Sequence, residues 1–592
     1  MKVLITFVVI MAATLFLPAH VTAMETKTPA DVFQRIMLSK QQVQHLRKER
    51  HIVVPWPVVE ARSDLAPRHV FEKCLEVLDK IKRLRRSRNM GPIALPQFPT
   101  RDVTPNEVFD IAGRLLEELK LFPGLANLTL TPATRQAAIT PSDVYREVSS
   151  ISLALDPLLG VRGLTPTDVY LQSQKILEQV KFLRISQSQP LDTAAPQKTV
   201  GKHPNHSLQQ TYKLMGEIAK AQHNLWIPPI NVPTVPRREI TPGEVHDALL
   251  IVQAELQRIK FRLGIEYPIT VKKTDGQKNP DDVLLNLKWA TQMMPKFTKH
   301  ERIIQYPQTS LAKTPNHLYI MTEHIIRELS EYRRRRGINA LPPSVPKQAN
   351  LETHHIYQKT LQVLDKVNQI RKQEGLGELA TSPGRVRKAT LSEVYDLLLR
   401  LDLELSFIYK KAGMTAHDPS LALSNIHNDK TASDVFEQMQ TLSHLLDAVL
   451  SRSGDGTNDA WKLSQRLLAD IRIIATANNR TFENITLPTI KHSTLASDAQ
   501  KEVFAILNII KKFKTRIGLL ESAVPVTLTA SSITFSDVYN EMELVLSELE
   551  NIKIFLNIEQ PARSVEQPQN KTPGDVSQQL LLAKQMLLTF IE

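Results

Sequence analysis

The sequence predicts an all-α protein. Its architecture is four tandem four-helix bundle-like domains, built from sixteen repeats of about 38 residues, each a helix followed by an extended loop. Three observations predict this. A short Thr-Pro motif recurs along the chain, an apolar stripe follows each copy, and the differences between copies recur every fourth copy.

The motif is "TPSDVY" at Thr140, with relatives "TPADVF" at Thr28, "TPNEVF" at Thr104, "TPTDVY" at Thr165, "TFSDVY" at Thr534 and "TPGDVS" at Thr572. Each reads as a helix start. Threonine supplies a capping hydroxyl, and proline at the first helical position loses no hydrogen bond. An acidic residue three places on completes a capping box and faces the positive helix end. Starts are expected at 28, 66, 104, 140, 165, 203, 241, 279, 314, 352, 390, 431, 499, 534 and 572, with a sixteenth near Asn458.

The helix bodies follow. Counting the capping residue as offset 0, the Thr140 unit places Val144, Val148, Ile151, Leu155 and Leu158 at offsets 4, 8, 11, 15 and 18. The Thr241 unit places Val245, Leu249, Val252, Leu256 and Ile259 there, and the Thr390 unit Val394, Leu398, Leu401, Leu405 and Ile408. Steps of four and three make one coiled-coil-like seam that needs other helices to cover it.

Third-type helices carry glutamate at offset 14 (Glu118, Glu255, Glu404, Glu548), and fourth-type helices carry aspartate at offset 3 (Asp143, Asp282, Asp434, Asp575). Second-type helices carry His69, His206 and His355 at offset 3, with Glu502 in the last set. A period of four implies domains at 24–162, 163–311, 312–456 and 457–592. Pro-rich connections such as "VVPWPVVEARSD" and "WIPPINVPTVPRRE" favour extended backbone long enough to run back along a helix. They permit parallel neighbours without excluding an up-down order.

Residues 1–23 read as a cleaved secretory signal: Lys2, an apolar run over Val3–Leu17, and small residues ending at Ala23. The expected location is therefore extracytoplasmic, periplasmic or secreted, and no later stretch is apolar enough to span a bilayer. The single cysteine, Cys74, lies on a seam and reads as a buried small hydrophobe. The net charge of +13 favours anionic partners.

Several residues are candidates for chemistry. His69, His206 and His355 are metal-ligand candidates set against a capping role. The pairing of His354 with His355 is expected to add little, because adjacent helical residues face differently. The offset-14 glutamates read as flanking salt bridges to a neighbouring helix. Basic runs end two helices, "KRLRRSR" at Lys82–Arg88 and "YRRRRG" at Tyr332–Gly337. Arg83, Arg85, Arg86 and Arg333, Arg334, Arg335, Arg336 are partner-binding candidates there, together with Trp56 and Trp226 in the Pro-rich connections. The arginine runs are not interleaved with aromatics, which argues against nucleic acid.

No phosphate loop, dinucleotide glycine pattern, zinc-protease helix, haem-attachment pattern or nucleophile elbow is present, and no cofactor is implied. The reading is an exported, non-enzymatic helical repeat protein, a scaffold or binding protein for a protein or an anionic envelope polymer. The alternative is a small-molecule or metal-binding helical-bundle module.

Overall fold

The structure, a computed structural model, describes residues 27–591 apart from 100, 135–137, 192–193, 266–275, 298–312, 340–341, 344, 346, 381–386, 415–426, 483–484, 490–493, 520–532 and 563–567. The expected signal and the boundary near 311 lie outside the described residues.

Sixteen α-helices appear among the described residues. The first four are α1 (Pro29–Glu49), α2 (Pro67–Ser87), α3 (Pro105–Lys120) and α4 (Pro141–Leu155). Next come α5 (Pro166–Ser186), α6 (Pro204–Asn224), α7 (Pro242–Arg262) and α8 (Pro280–Met293). Then come α9 (Pro315–Arg335), α10 (Thr353–Gln373), α11 (Leu391–Lys411) and α12 (Ala432–Val449). The last four are α13 (Thr457–Ala477), α14 (Ala496–Arg516), α15 (Phe535–Phe555) and α16 (Pro573–Leu588). No described helix is long and apolar enough to cross a membrane.

The capping logic is visible in atoms. At α4 the Thr140 hydroxyl accepts from the Asp143 amide at 3.3 Å, while the Asp143 carboxylate accepts the Thr140 amide at 3.0 Å. One start differs from expectation. α14 is capped by Leu495 rather than residue 499, so its third position is Asp498, and Glu502 lies one turn later, bonded to Lys584 of α16. A shift of one turn preserves the apolar face, so periodicity could not resolve it without the Thr-Pro signature.

The seams are buried: Val144, Val148, Ile151 and Leu155 are at most 1% exposed. Each such side chain contributes about 1.5–3 kcal/mol by leaving water. In every set of four, the first and second helices each pack on the third and fourth, so α1 touches α3 and α4, and so does α2. The chain therefore crosses a diagonal between its first and second helices.

Helix starts meet at one end. The Lys27 amide donates to Asn106 at 2.9 Å, the Leu65 amide to Ser142 at 3.2 Å and the Ile240 amide to Asn205 at 3.1 Å, each pair lying at two helix N-termini. Helix ends meet at the other: Arg184 donates to the Met293 carbonyl and Arg262 to that of Leu225, both at 3.2 Å. These neighbours are parallel. A 21-residue helix is about 31 Å long, and the connection after α1, residues 50–66, covers that length when extended.

The sets join in an order the chain does not follow. α2 packs on α7, and α10 packs on α15. The first and third sets share one continuous core. Their contact is reciprocal: Arg101 pairs with Asp396 at 2.7 Å, and the equivalent Arg387 pairs with Asp110. Arg85 donates to the Glu378 carbonyl, and the equivalent Arg371 to that of Pro92. Gly91 (φ +79°) and Gly377 (φ +76°) lie at this two-fold joint; a Cβ on Gly91 would stand 1.7 Å from the Leu376 oxygen. Only glycine accepts both the left-handed backbone and that approach.

Candidate functional site

The offset-3 histidines cap their helices. In His69 the Nδ1 accepts the Ala66 amide at 2.9 Å, and in His355 it accepts the Glu352 amide at 2.9 Å. His206 accepts the His203 amide at 3.2 Å. A ring that accepts at Nδ1 carries its proton on Nε2. The His69 Nε2 then donates to Glu255 of the second set at 2.6 Å, and the His355 Nε2 to Glu548 of the fourth at 3.1 Å. His69 and His355 thus join sets of helices, whereas half-buried His206 stays with its own cap.

Contrary to expectation, the rings of His354 and His355 do not face apart. The His354 ring lies 3.9 Å from that of His355, and its Nε2 is 3.9 Å from Glu548. These residues occupy the first turn of α10, and α15 packs lengthwise along that helix, pairing His355 with Glu548, Gln358 with Glu543 and Lys359 with Asn540. His354, His355 and Glu548 form one of two groups among the described residues whose atoms could surround a metal, the other being Glu76, His246 and Asp247. The donor chemistry opposes both. A metal at the His355 Nε2 would displace the proton that the capping bond requires there. In the second group the Lys73 ammonium already lies between Glu76 and Asp247, at 2.6 and 2.7 Å.

The offset-14 glutamates are fully buried, and each meets the offset-19 residue of the second-type helix in its own set. Glu118 takes Arg85 and Glu404 takes Arg371, both at 3.1 Å; Glu548 takes Lys514 at 2.6 Å, and Glu255 takes Gln222. Burial raises a carboxyl's pKa, but the bonds from His69 and Arg68 hold Glu255 down to about 2, and those from His355 and Lys514 do the same for Glu548.

The basic runs divide by register. Arg85 is 0% exposed and Arg333 is also buried, which corrects their expected place on a contact surface. Offset 19 points each toward the core, where Arg85 is matched by Glu118. Exposed Arg83 pairs with Asp79 at 2.8 Å; Arg334 and Arg335 pair with Glu331 at 2.8 and 2.7 Å, and Arg336 with Glu374 at 3.0 Å. Arg86 is exposed. Trp56 plugs the first set, its Nε1 donating to Ser150 at 3.2 Å under Lys40 and Arg47. Trp226 is 72% exposed at φ +59°, a left-handed position. Cys74 is buried in the seam, and burial pushes its thiol pKa well up.

A cavity of about 1090 Å³ opens between the first and second sets. Its walls are the Pro/Val-rich returns at residues 58–65 and 230–238, and its floor includes Lys73, Glu76, Tyr145 and Asp247. Sequence reasoning missed Arg62 and Tyr145. Arg62 lies 6.0 Å from the Tyr145 ring and makes no ion pair among the described residues; burial opposes its charge, but Tyr145, Asp247, Tyr212 and Glu244 raise its pKa overall. The buried Tyr145 hydroxyl has no hydrogen-bond partner among the described residues. Tyr145 closes the recurring motif, as Tyr170, Phe109 and Tyr539 do, so periodicity marked the position without marking a site, and Arg62 lies in a connection outside the motif.

No family model matches the chain, and no curated protein or solved structure matches it either.

Proposed function

We propose that this chain is an extracytoplasmic, non-enzymatic binding protein. Four tandem four-helix bundle domains act as its scaffold, and an extended, acidic segment of a protein partner is held in the cleft between the first two domains. The observation that carries the reading is Arg62. It is a guanidinium inside a cleft of about 1090 Å³, without an ion-pair partner among the described residues, in a lining that mixes Val58, Val232 and Pro233 with polar side chains. A carboxylate entering there would gain a charge-assisted bond while its neighbours cover Val58, Val232 and Pro233.

The use of the other polar residues supports it. The recurrent histidines, glutamates and core-facing arginines hold helices and domains together, which is scaffold work. The carboxyls most raised by burial, Glu72 and Asp402 to about 7 and Glu541 to about 8, lie on three different helices, and none lines the cleft. An acid–base pair needs two such groups in one pocket. Trp226 adds an exposed aromatic in a backbone conformation that costs about 1–2 kcal/mol, and strain of this sort often marks a contact site.

The test is capture from the envelope or culture fluid of the source cells, using the mature protein and its R62A form side by side. The partner should be retained by the first and lost from the second, and acidic peptides should compete for it. Equal capture by both would remove the cleft from the reading, and a tightly bound metal with no retained protein would favour the metal-binding alternative.

A further inference from the structure

At the two-fold joint between the first and third sets, four buried guanidiniums face two carboxylates. Arg85 and Arg371 are matched by Glu118 and Glu404 at 3.1 Å each. Arg114 and its equivalent Arg400 are left over. Each donates to a backbone carbonyl, Ala94 for the first and Ala380 for the second, the latter at 3.0 Å. Their nearest carboxylate is a shared one, Glu118, at 3.8 and 4.0 Å. The Nε donors of both arginines are buried and have no hydrogen-bond partner among the described residues. Burial, then repulsion by Arg400, hold the Arg114 guanidinium down to about 10.

These two arginines line a cavity of about 210 Å³ that straddles the joint. The acidic residues around it are already engaged. Arg101 takes Glu107 and Asp396, Arg387 takes Glu393 and Asp110, and Glu117 pairs with Lys120. Arg35, a fifth guanidinium, lies 3.5 Å over the Phe109 ring and donates to the Phe109 carbonyl.

We propose that this cavity is a binding site for a small doubly charged oxyanion, of the phosphate or sulfate type, held between Arg114 and Arg400. The guanidinium fork matches two oxygens of a tetrahedral anion, and two forks facing one another match four. A water occupies about 30 Å³, so the cavity holds such an anion with several waters. The charge of the anion balances the two surplus guanidiniums. Bound there, it bridges α3 and α11 and so ties the first set of helices to the third. The site is separate from the cleft at Arg62 and stands or falls independently of it.

The test is calorimetry and thermal melting of the full chain, exchanged into chloride, with inorganic phosphate and with sulfate at constant ionic strength. The wild type should bind one anion per chain and melt higher with either dianion. R114M/R400M should bind at least tenfold more weakly and lose the melting shift, while R334A/R335A, altered only on the surface, should keep both. Should the double variant fail to fold, R400K keeps the charge, lacks the fork and should weaken binding several-fold. Absence of saturable binding in the wild type, an equal shift from added chloride, or a full shift in R114M/R400M would each overturn the proposal. Binding of a phosphomonoester but of neither free dianion would also overturn it, since the site would then recognise the organic group.

Discussion

Two joints in this molecule are built to one plan and balanced in different ways. In the α2–α7 joint, His69 reaches Glu255, Arg68 adds a fixed cation at 2.6 Å, and Lys73 lies on Asp247. In the α10–α15 joint, His355 reaches Glu548, but His354 replaces Arg68 and Asn540 replaces Asp247. The fixed cation there is Lys514 of α14. The geometry is shared and the location of the charge is not. The lesson concerns the lysines: Lys73 between two carboxylates is held in its charged form, with its pKa raised, whereas Lys359 on an amide is pushed down to about 8 by burial and by Lys366.

The largest expected break in this comparison comes from those lysines. K73M strands Glu76 and Asp247 and should cost about 3–5 kcal/mol. K359M should be close to neutral, because it removes a charge that burial opposes. Chemical denaturation of both variants measures the difference, and equal losses would refute the contrast.

Exchanging the charge sharpens it. K514Q alone leaves Glu548 without its fixed cation and should cost about 2–3 kcal/mol. H354R/K514Q copies the Arg68–Gln222 arrangement and should recover most of that loss. A double variant no better than K514Q would show that the two joints are not interchangeable.

The pH dependences follow with worked signs. Lys359 has a folded pKa of about 8 against an ordinary 10.5, so the unfolded chain binds the extra proton between them. Stability therefore rises across pH 8 to 10.5, and this rise should shrink in K359M. On the acid side, burial and His354 lower the His355 pKa from 6.5 to about 4, and burial lowers that of His69. Neutral histidine stabilises the fold above pH 6.5, and this contribution fades as the pH falls toward 4. H355Q should show a flatter stability profile than the wild type over that window.

The smallest effect is a cap. T140A removes one hydroxyl from α4 and should cost about 1 kcal/mol without touching either joint. A loss confined to one joint would mean that caps and joints are coupled.

The repeat was readable because it rests on local physics. Thr140 and Asp143 answer one another within a single turn, and Val144 through Leu155 follow helical geometry, so both could be read from spacing. Arg85 was misplaced because a basic run looks alike on every face until the core direction is known, and offset 19 turned out to be inside. His354 was discounted on the rule that adjacent helical residues face apart, but α15 packs along α10 so that Glu548 lies near both rings. Arg62 gave no signal, and Tyr145, Arg114 and Arg400 recur at matching offsets without marking a site, since their importance lies in what surrounds them.

By itself, then, the sequence determined the helices, most of their starts and their apolar seams, because caps and seams act over distances of one or two turns. Only the tertiary structure decided that neighbouring helices run parallel, that the first set meets the third through Gly91 and Gly377, and that charge is left over in two cavities. Those outcomes depend on groups hundreds of residues apart approaching within a few ångströms, and local spacing holds no record of that approach.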